Sequence, residues 1–433
     1  MKTSILMYSV AALVLLRAIV APTPLTAQRY TVANPGNPLS GTAGADQTYS
    51  VTGLPELGGT MSLAESINNR GWVSGWSNLS GNQTQHAFLW VSGELTDLGT
   101  LGGPDSAVGS PVHNELGELV GFSNTLQIDP LGEQLCFPTP YLCAGFVWRD
   151  GKMTALPTLG GNNSYANSAN NLGSVVGFAE TAVQDPNCVA PQVLDLKAVI
   201  WGPDPNELEV LPPLPGDTLS AALTINDAGL VAGASGQCGP VAFQTAAHAV
   251  LWENGRPIDL GSLGGAFNNL PLDMNELGEI VGLSDVPSDT TTHAVLWRDR
   301  HIVDLGTLPG DVLSYAFGIN DYGQIVGQSC DASGNCRAFL WQNGVMTDLN
   351  ALLSQDSSLY LIIAISINNS GEIVGQAFDS NTGDLPAYLA TPAEGTKSDL
   401  GSQKLVLPPQ VREMLRKQKV RGFHVGAIVR NSE

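Results

Sequence analysis

The sequence has little charge, and most of that charge has one sign. Charged residues make up 14% of its 433 residues, against roughly 25% in typical soluble proteins. With 40 acidic and 19 basic residues, the formal net charge is -21. A nucleic acid would be repelled by this excess unless a basic patch were segregated, so we predict no nucleic acid partner.

Motifs that mark common catalytic and metal sites are also missing. The chain has no Gly-x-Ser-x-Gly, no His-Glu-x-x-His, no Gly-x4-Gly-Lys and no Cys-x-x-Cys, and it has only 6 histidines. Each of these patterns places a nucleophile, a metal ligand or a phosphate cradle at a fixed spacing. The sequence therefore points to no catalytic residue and no metal ligand, and it predicts no cofactor.

Long apolar runs are confined to the N-terminus. Lys2 precedes an apolar run from Ile5 to Leu16, and small residues follow up to Ala27. This run is too short to span a membrane and has the order of an export signal, so we predict a signal peptide over residues 1–27. No later stretch is apolar enough to form a transmembrane segment. We expect the mature protein to be secreted, periplasmic or on the cell surface.

Glycine is abundant, with 49 residues, and one spacer that contains it recurs along the chain. An Asn-x-x-Gly spacer, followed within two or three residues by valine, appears seven times. Asn accepts backbone hydrogen bonds at the first position of a tight turn, and Gly tolerates a positive φ at the fourth. The seven spacers begin at Asn68, Asn114, Asn170, Asn226, Asn275, Asn320 and Asn368.

Each repeat supplies about four short strands. Residues 318–329, "GINDYGQIVGQS", show two β-branched segments around the turn, and "AFLW"-type and "DLG"-type segments form a second hairpin. A tryptophan ends the "AFLW" segment at intervals of 58, 53, 51, 45 and 44 residues, a period typical of propeller blades. These tryptophans are Trp90, Trp148, Trp201, Trp252, Trp297 and Trp341.

The two ends of the repeat region complement each other. The first unit lacks an "AFLW" segment before it, and the last ends in "PAYLATP" with no "DLG" after it. Pairing of these ends would complete one blade and protect two sheet edges. We predict an all-β, seven-bladed β-propeller over residues 47–392, with a linker over 28–46 and a basic tail over 393–433. An open β-solenoid is the alternative.

At this point the motifs resemble a known family. "HAFLW" at 86–90, "HAVLW" at 248–252 and 293–297, "DLGTLGG" at 97–103 and the "IN-x-x-G-x-IVG" segments are similar to the HAF-repeat family of bacterial extracellular proteins. The resemblance covers about residues 49–392. It implies an exported, repeat-built protein without a settled biochemical activity. Four units begin with other strings, such as "RAFLW", so the histidine is not required.

The cysteines suggest disulfide bonds, because their number is even and the protein is expected to be exported. All fall in the variable segment between the "VVGxS" and "AFLW" strands. Two close pairs could each staple one loop, which leaves Cys188 and Cys238 to link neighbouring units. The close pairs are Cys136 with Cys143 and Cys330 with Cys336.

Trp72 and Trp76 are the candidate ligand-binding residues. Trp72 follows the turn glycine where other units carry mostly polar residues, and Trp76 lies four residues further on. If both side chains point to one face of a strand, they form a stacking platform for a sugar or another flat ligand. The alternative is burial beneath residues 28–46.

Two loops offer oxygen ligands for calcium. They read "CDASGNC" at 330–336 and "DSNTGD" at 379–384, and neither matches the EF-hand pattern. Calcium binding is therefore a possibility that the sequence leaves open.

The C-terminal segment is basic. Residues 397–433 contain eight Lys or Arg and three acidic residues, so they carry about +5 and the remainder about -26. Pro409 can begin a short helix on which Val411, Met414 and Leu415 share an apolar stripe. This tail could contact an anionic surface or the protein's own acidic propeller, or it could be a disordered, solvated tail.

We therefore predict an exported, non-catalytic binding scaffold that holds a glycan or protein ligand on one propeller face. The alternative is a polysaccharide-active hydrolase or lyase with its acids at the channel mouth. A structural surface protein that binds copies of itself is a third possibility.

Overall fold

The computed structural model describes residues 31–32, 47–111, 114–188, 192–203, 207–238, 247–354, 357–394 and 404–420. These residues form seven four-stranded antiparallel sheets arranged in a ring, so the protein is a seven-bladed β-propeller as the repeat predicted. The predicted signal peptide, residues 1–27, lies outside the described residues, as does most of the predicted linker.

Two strands precede the first blade. They are β1 (Thr31–Val32), which pairs in parallel with the outer strand of blade 5, and β2 (Thr48–Gly53). The first three blades follow, each written from the inner strand at the central channel to the outer strand. Blade 1 is β3 (Gly58–Ile67), β4 (Val73–Leu79), β5 (Gln85–Val91) and β6 (Glu94–Asp97). Blade 2 is β7 (Gly102–Val108), β8 (Leu119–Ile128), β9 (Tyr141–Arg149) and β10 (Lys152–Ala155). Blade 3 is β11 (Gly160–Ala169), β12 (Val175–Gln184), β13 (Leu194–Trp201) and β14 (Leu208–Leu211).

The remaining blades repeat this order. Blade 4 is β15 (Leu219–Ile225), β16 (Val231–Gly236), β17 (His248–Glu253) and β18 (Arg256–Asp259). Blade 5 is β19 (Asn269–Met274), β20 (Ile280–Asp285), β21 (Thr292–Arg298) and β22 (His301–Gly306). Blade 6 is β23 (Leu313–Ile319), β24 (Ile325–Cys330), β25 (Cys336–Gln342) and β26 (Val345–Asp348), followed by the 3-10 helix η1 (Leu349–Leu352). Blade 7 has β27 (Leu359–Ile367), β28 (Ile373–Asp379) and β29 (Ala387–Ala393), and the helix α1 (Pro409–Val420) comes after it.

Blade 7 takes its outer strand from the other end of the chain. Strand β2 pairs antiparallel with β29 from Thr48 opposite Ala393 to Gly53 opposite Tyr388. This pairing confirms the predicted closure, and the open solenoid is wrong because the terminal edges meet. A ring without free terminal edges offers no backbone template for further strand addition at that point.

The Asn-x-x-Gly spacers are tight turns, as predicted. In the first, Asn68 Oδ1 accepts hydrogen bonds from the backbone N–H groups of Arg70 and Trp72, both at 3.0 Å. Gly71 adopts a φ of 74°, which L-amino acids with side chains rarely populate. Each turn connects the inner strand of a blade to its second strand, so the seven turns lie at one end of the channel. We call this end the asparagine face.

The same asparagines also join neighbouring blades. Each Nδ2 donates to the backbone carbonyl of the spacer asparagine in the next blade, so the seven bonds form a closed circle. Sequence reasoning missed this role, because the partners lie in different repeats. The bonds run from Asn68 to Asn114 (3.1 Å), to Asn170 (2.8 Å), to Asn226 (3.1 Å), to Asn275 (3.3 Å), to Asn320 (3.1 Å), to Asn368 (3.0 Å) and back to Asn68 (3.0 Å).

The residues that follow the spacer asparagines form a second circle of hydrogen bonds. The residue after each spacer asparagine donates its backbone N–H to the side-chain oxygen of the corresponding residue in the next blade. This explains why Asn, Asp or Glu, which carry such an oxygen, occupies that position. The circle runs through Asn69, Glu115, Asn171, Asp227, Glu276, Asp321 and Asn369.

A glycine in the second strand of each blade lets the inner strand pass close by. In blade 1, a Cβ on Gly75 would lie 2.0 Å from the Leu63 carbonyl oxygen. The pairing of the two strands shifts register at this point, between Ala64 and Ser66. The glycine of the "VG" strings is therefore required by strand packing.

Candidate functional site

The end of the ring opposite the asparagine face carries the loops between the second and third strands. We call it the disulfide face, because all three disulfide bonds lie in these loops or at the strand ends next to them. Here the inner strands of all seven blades bring side chains together in one buried cluster. One position of each inner strand contributes Leu63, Ala107, Tyr165, Ala221, Leu270, Tyr315 and Ile363. The channel is therefore apolar at this end.

The C-terminal segment covers this apolar end at blades 6 and 7. The backbone N–H of Leu407 donates to Asn335 Oδ1 (3.0 Å), and that of Leu405 donates to the Tyr360 hydroxyl (3.4 Å). Leu407 is buried in the channel cluster. Of the alternatives for the tail, contact with the protein's own propeller is what the structure shows for residues 404–416. The contact with an anionic surface stays a prediction.

Helix α1 continues this contact with its apolar stripe. Val411 and Leu415 are buried in the channel cluster, and Met414 packs against it. These are the three residues whose spacing predicted one apolar face. Helix α1 therefore packs against the propeller with the apolar face that the sequence predicted.

Ion pairs fix the start of the segment. Lys404 Nζ lies 2.8 Å from Asp311 Oδ1 and 3.1 Å from Asp331 Oδ2, and Arg337 bonds to Asp311 and Asp348. Burial acts to lower the pKa of Lys404, but the two carboxylates outweigh it and raise this pKa. Sequence reasoning missed this network because Lys404 lies 93 positions from Asp311.

A pocket of about 360 Å³ lies between α1 and the inner strands of blades 6 and 7. Leu313, Tyr315, Ile363 and Leu415 form apolar parts of its wall, and the Cys330–Cys336 disulfide forms another. Its volume is in the range of pockets that hold small organic ligands. We call it the mouth pocket, because it lies at the mouth of the channel.

The predicted aromatic platform is not present. Trp76 is 4% exposed, and its Nε1 donates to Glu65 Oε1 (3.1 Å) inside the channel cluster. Trp72 precedes β4 and lies at the asparagine face, half-buried, with the Arg70 guanidinium 5.4 Å above its ring. The two rings therefore cannot stack on one ligand from solvent.

The reason for this error is visible in the repeat. The residue after the "VG" glycine is usually apolar, and Trp76 occupies that position in blade 1. It is therefore a larger version of a repeated core residue. The residues at this position in the next four blades are Phe122, Phe178, Ala234 and Leu283.

The six cysteines form the three disulfide bonds that the sequence suggested. Cys136–Cys143 and Cys330–Cys336 each close one loop, with Cα–Cα distances of 5.7 and 4.0 Å. Cys188–Cys238 joins the loops of blades 3 and 4, with a Cα–Cα distance of 4.7 Å. Asp185 lies beside this last disulfide, but its sulfurs are bonded to each other and are not free thiolate ligands.

The histidines of the "HAFLW"-type strings pair with carboxylates. His86 Nδ1 lies 2.9 Å from Asp97 of the following "DLG" segment, and His293 Nδ1 lies 3.0 Å from Asp304. Burial acts to raise the pKa of Asp97, but hydrogen bonds from His86 and the Gly99 amide outweigh it and lower this pKa. These pairs join adjacent strands within single blades, so they explain the repeated histidine as a structural residue.

Buried carboxyl groups are features that the sequence reasoning missed. Burial raises the pKa of Glu65 to about 8, against the hydrogen bond from Trp76. Burial also raises the pKa of Glu180 to about 7, and nearby Glu133 adds to the shift. The sequence did contain an indication that Glu65 is buried, since four other blades carry an apolar residue at its position. These residues are Leu223, Leu272, Phe317 and Ile365.

The loop at 330–336 uses its carboxylate internally. Asp331 accepts hydrogen bonds from the N–H groups of Ser333 and Asn335, and Lys404 lies 3.1 Å away. Burial acts to raise the pKa of Asp331, but hydrogen bonds from Asn335 and the Lys404 ammonium outweigh it and lower the pKa to about 2. A cationic side chain thus stands where calcium was considered. In the loop at 379–384, Asp379 likewise accepts from the Asn381 N–H (2.9 Å).

No protein-family model matches the chain, and no curated protein matches it. Among solved structures it is similar to TolB from Acinetobacter baumannii, at 11% identity and a TM-score of 0.38 over 79% of this chain and 66% of that one. It is also similar to AofleA from Arthrobotrys oligospora, at 11% identity and a TM-score of 0.32 over 74% and 92%. A third similar structure is dipeptidyl peptidase 4 from Porphyromonas gingivalis, at 10% identity and a TM-score of 0.36. The match covers 82% of this chain and about half (53%) of that one.

At these identities, no activity or partner of those proteins is transferred to this chain. In the described ranges, no helix is long and apolar enough to cross a membrane.

Proposed function

We propose that this chain is an exported binding protein of the HAF-repeat kind, and that it holds an apolar ligand non-catalytically in the mouth pocket. The observation that carries the proposal is the apolar channel end beneath α1, where a 360 Å³ pocket remains between the helix and the inner strands. Apolar walls with few polar groups favour binding of an apolar body. Three disulfide bonds are consistent with an oxidising compartment outside the cytoplasm.

The polysaccharide-active alternative has less support. It requires two acids that a substrate can reach. Glu133 and Glu180 are 2% and 1% exposed, and they accept hydrogen bonds from backbone N–H groups of Leu194 and Asn163, respectively. Their raised pKa values therefore reflect burial, Glu133 in a loop and Glu180 in strand β12. The glycan ligand also loses its main argument, since Trp76 is buried.

A neutral apolar dye tests the pocket. N-phenyl-1-naphthylamine fluoresces when it leaves water, and we expect saturable binding at one site of the exported protein. A tryptophan at Leu415, which lines the pocket, should fill it and abolish this signal. The matched control is Val406→Trp, because Val406 is on the same segment but is 72% exposed.

Three results would contradict the proposal. They are no saturable fluorescence with the wild-type protein, equal binding by Leu415→Trp and the wild type, and equal loss in both tryptophan variants. Circular dichroism of Leu415→Trp must match that of the wild type, so that loss of binding reports the pocket and not the fold. Fractionation of the producing cells tests export, which would be refuted if the protein stayed in the cytoplasm with residues 1–27 attached.

A further inference from the structure

Arg412 of α1 lines the mouth pocket, and it has no carboxylate partner among the residues that the structure describes. Its Nη1 donates only to the Ser333 carbonyl oxygen, at 3.4 Å, and its Nε is buried with no hydrogen-bond acceptor among the described residues. A guanidinium group that has lost part of its water and has no counter-ion is stabilised by an anion at close range.

The other charges around the pocket are already paired. Arg416 bonds to Glu413 on the same helix, and Asp331 is paired with Lys404. Within the described part of the pocket, Arg412 is therefore the cation left to meet a charge from outside. Arg412 lines the same cavity as Leu313 and Ile363.

Because the pocket combines an apolar wall with this unpaired cation, we propose that its ligand is an amphipathic carboxylate, with the carboxylate on the Arg412 guanidinium and the apolar body along Leu313, Ile363 and Leu415. This inference rests on the proposed function and names the chemical class of its ligand. An Arg fork holds a carboxylate in a defined geometry, and the low polarity of the wall strengthens the pair.

The overall charge of the protein acts against binding of a carboxylate ligand. The net charge of -21 repels anions at long range. A protein that nevertheless binds an anion more tightly than its neutral analogue must do so through a local cation. A preference for the carboxylate would therefore report a contact such as that of Arg412.

The experiment compares decanoate with decanol by isothermal titration calorimetry on the exported protein at neutral pH. We expect decanoate to bind roughly tenfold more tightly, as a charge-assisted pair in an apolar site allows. Arg412→Gln should remove this difference, and Arg412→Lys should retain part of it. The matched control is Arg300→Gln, an exposed arginine in a hairpin turn on the asparagine face, which should change neither affinity.

The outcomes separate this inference from the proposed function. Equal affinities for decanoate and decanol, or a preference that Arg412→Gln leaves intact, would overturn the carboxylate assignment while the pocket itself stands. If neither compound binds, both proposals fail. Helical circular dichroism and the unfolding midpoint of Arg412→Gln establish whether α1 is still folded, and Arg412→Lys provides a second variant if it is not.

Discussion

Asn368 donates its Nδ2 to the carbonyl oxygen of Asn68 at 3.0 Å, across 300 positions of the chain. This bond completes the circle of seven asparagines, at the junction where blade 7 meets blade 1. Within blade 7, the outer strand β2, which precedes blade 1 in the chain, pairs with β29. The ring is thus closed twice, by backbone pairing near the rim and by side-chain amides around the channel.

Loss of one amide in this circle should destabilise the propeller. Asn170→Asp keeps the oxygen that accepts from Leu172 and Ser174 but removes the Nδ2 that donates to the Asn226 carbonyl. The Asn226 carbonyl then keeps only the Gly229 N–H as a donor and faces a carboxylate oxygen in place of the amide N–H. We therefore expect the free energy of unfolding to fall by about 2 kcal/mol. Chemical denaturation followed by tryptophan fluorescence measures this change.

Asn254→Asp is the control for this substitution. Asn254 lies exposed in a hairpin turn of blade 4 with a positive φ, so the same chemical change there should cost little. If the two variants lose equal stability, the circle contributes nothing beyond the turn.

The repeat predicted the fold because the sequence of every blade contains the same turn and strand patterns. Turn asparagines, turn glycines and alternating strands recur seven times, so errors in one unit are corrected by the others. The complementary chain ends likewise predicted that β2 would complete blade 7. The amide circle could not be predicted from any one repeat, since Asn68 and its acceptor at Asn114 belong to different blades.

The site was less predictable for the same reason. The apolar stripe of Val411 and Leu415 was visible in the sequence. Its position on the channel depends on two contacts earlier in the segment, from Leu407 to Asn335 and from Lys404 to Asp311. The prediction for Trp76 was wrong because it rested on the spacing of four residues from Trp72 and not on the apolar residues at the same position in other blades. A comparison register by register would have placed it in the core.

The glycine in the second strand of each blade should tolerate no side chain. In Gly327→Ala, the new Cβ would lie 2.0 Å from the Tyr315 carbonyl oxygen and 2.6 Å from the Phe339 ring. Backbone cannot yield as a flexible side chain does, so we expect a loss of about 3 kcal/mol in the free energy of unfolding. Urea denaturation with tryptophan fluorescence gives the value.

Gly344→Ala serves as the comparison for Gly327→Ala. Gly344 has a φ of 82° but open space around it, so only backbone strain of about 1 kcal/mol is expected. Equal costs at the two positions would show that crowding between the strands is unimportant.

The docking of α1 should depend on its apolar stripe. In Val411→Asp, an unpaired carboxylate would enter the channel cluster, which is unfavourable enough to release the helix. Hydrogen exchange followed by mass spectrometry should then show at least tenfold faster exchange over residues 404–416. The control is Gln410→Asp, in which the charge is placed at an exposed neighbouring position and exchange should stay slow. Rapid exchange already in the wild type would mean that the helix is not docked.

Glu65 should make the stability of the propeller depend on pH. Its carboxyl group is fully buried, Trp76 donates to Oε1, and Oε2 has no hydrogen-bond partner among the described residues. Burial raises the pKa of Glu65 in the folded protein from 4.5 to about 8. Between these values the folded state keeps a proton that the unfolded chain releases, so the contribution of Glu65 to stability decreases as pH rises.

Glu65→Gln removes this dependence while keeping an oxygen for Trp76. Because one proton is linked to folding, the wild type should lose roughly 1 kcal/mol per pH unit relative to the variant between about pH 4.5 and 8, and the difference should level off above pH 8. Unfolding free energies of both proteins, measured from pH 5 to 9, give this difference directly, because Glu180 and other groups titrate equally in both. Parallel curves would mean that Glu65 holds no proton in the folded state, and its buried charge would then require a cationic partner in the channel.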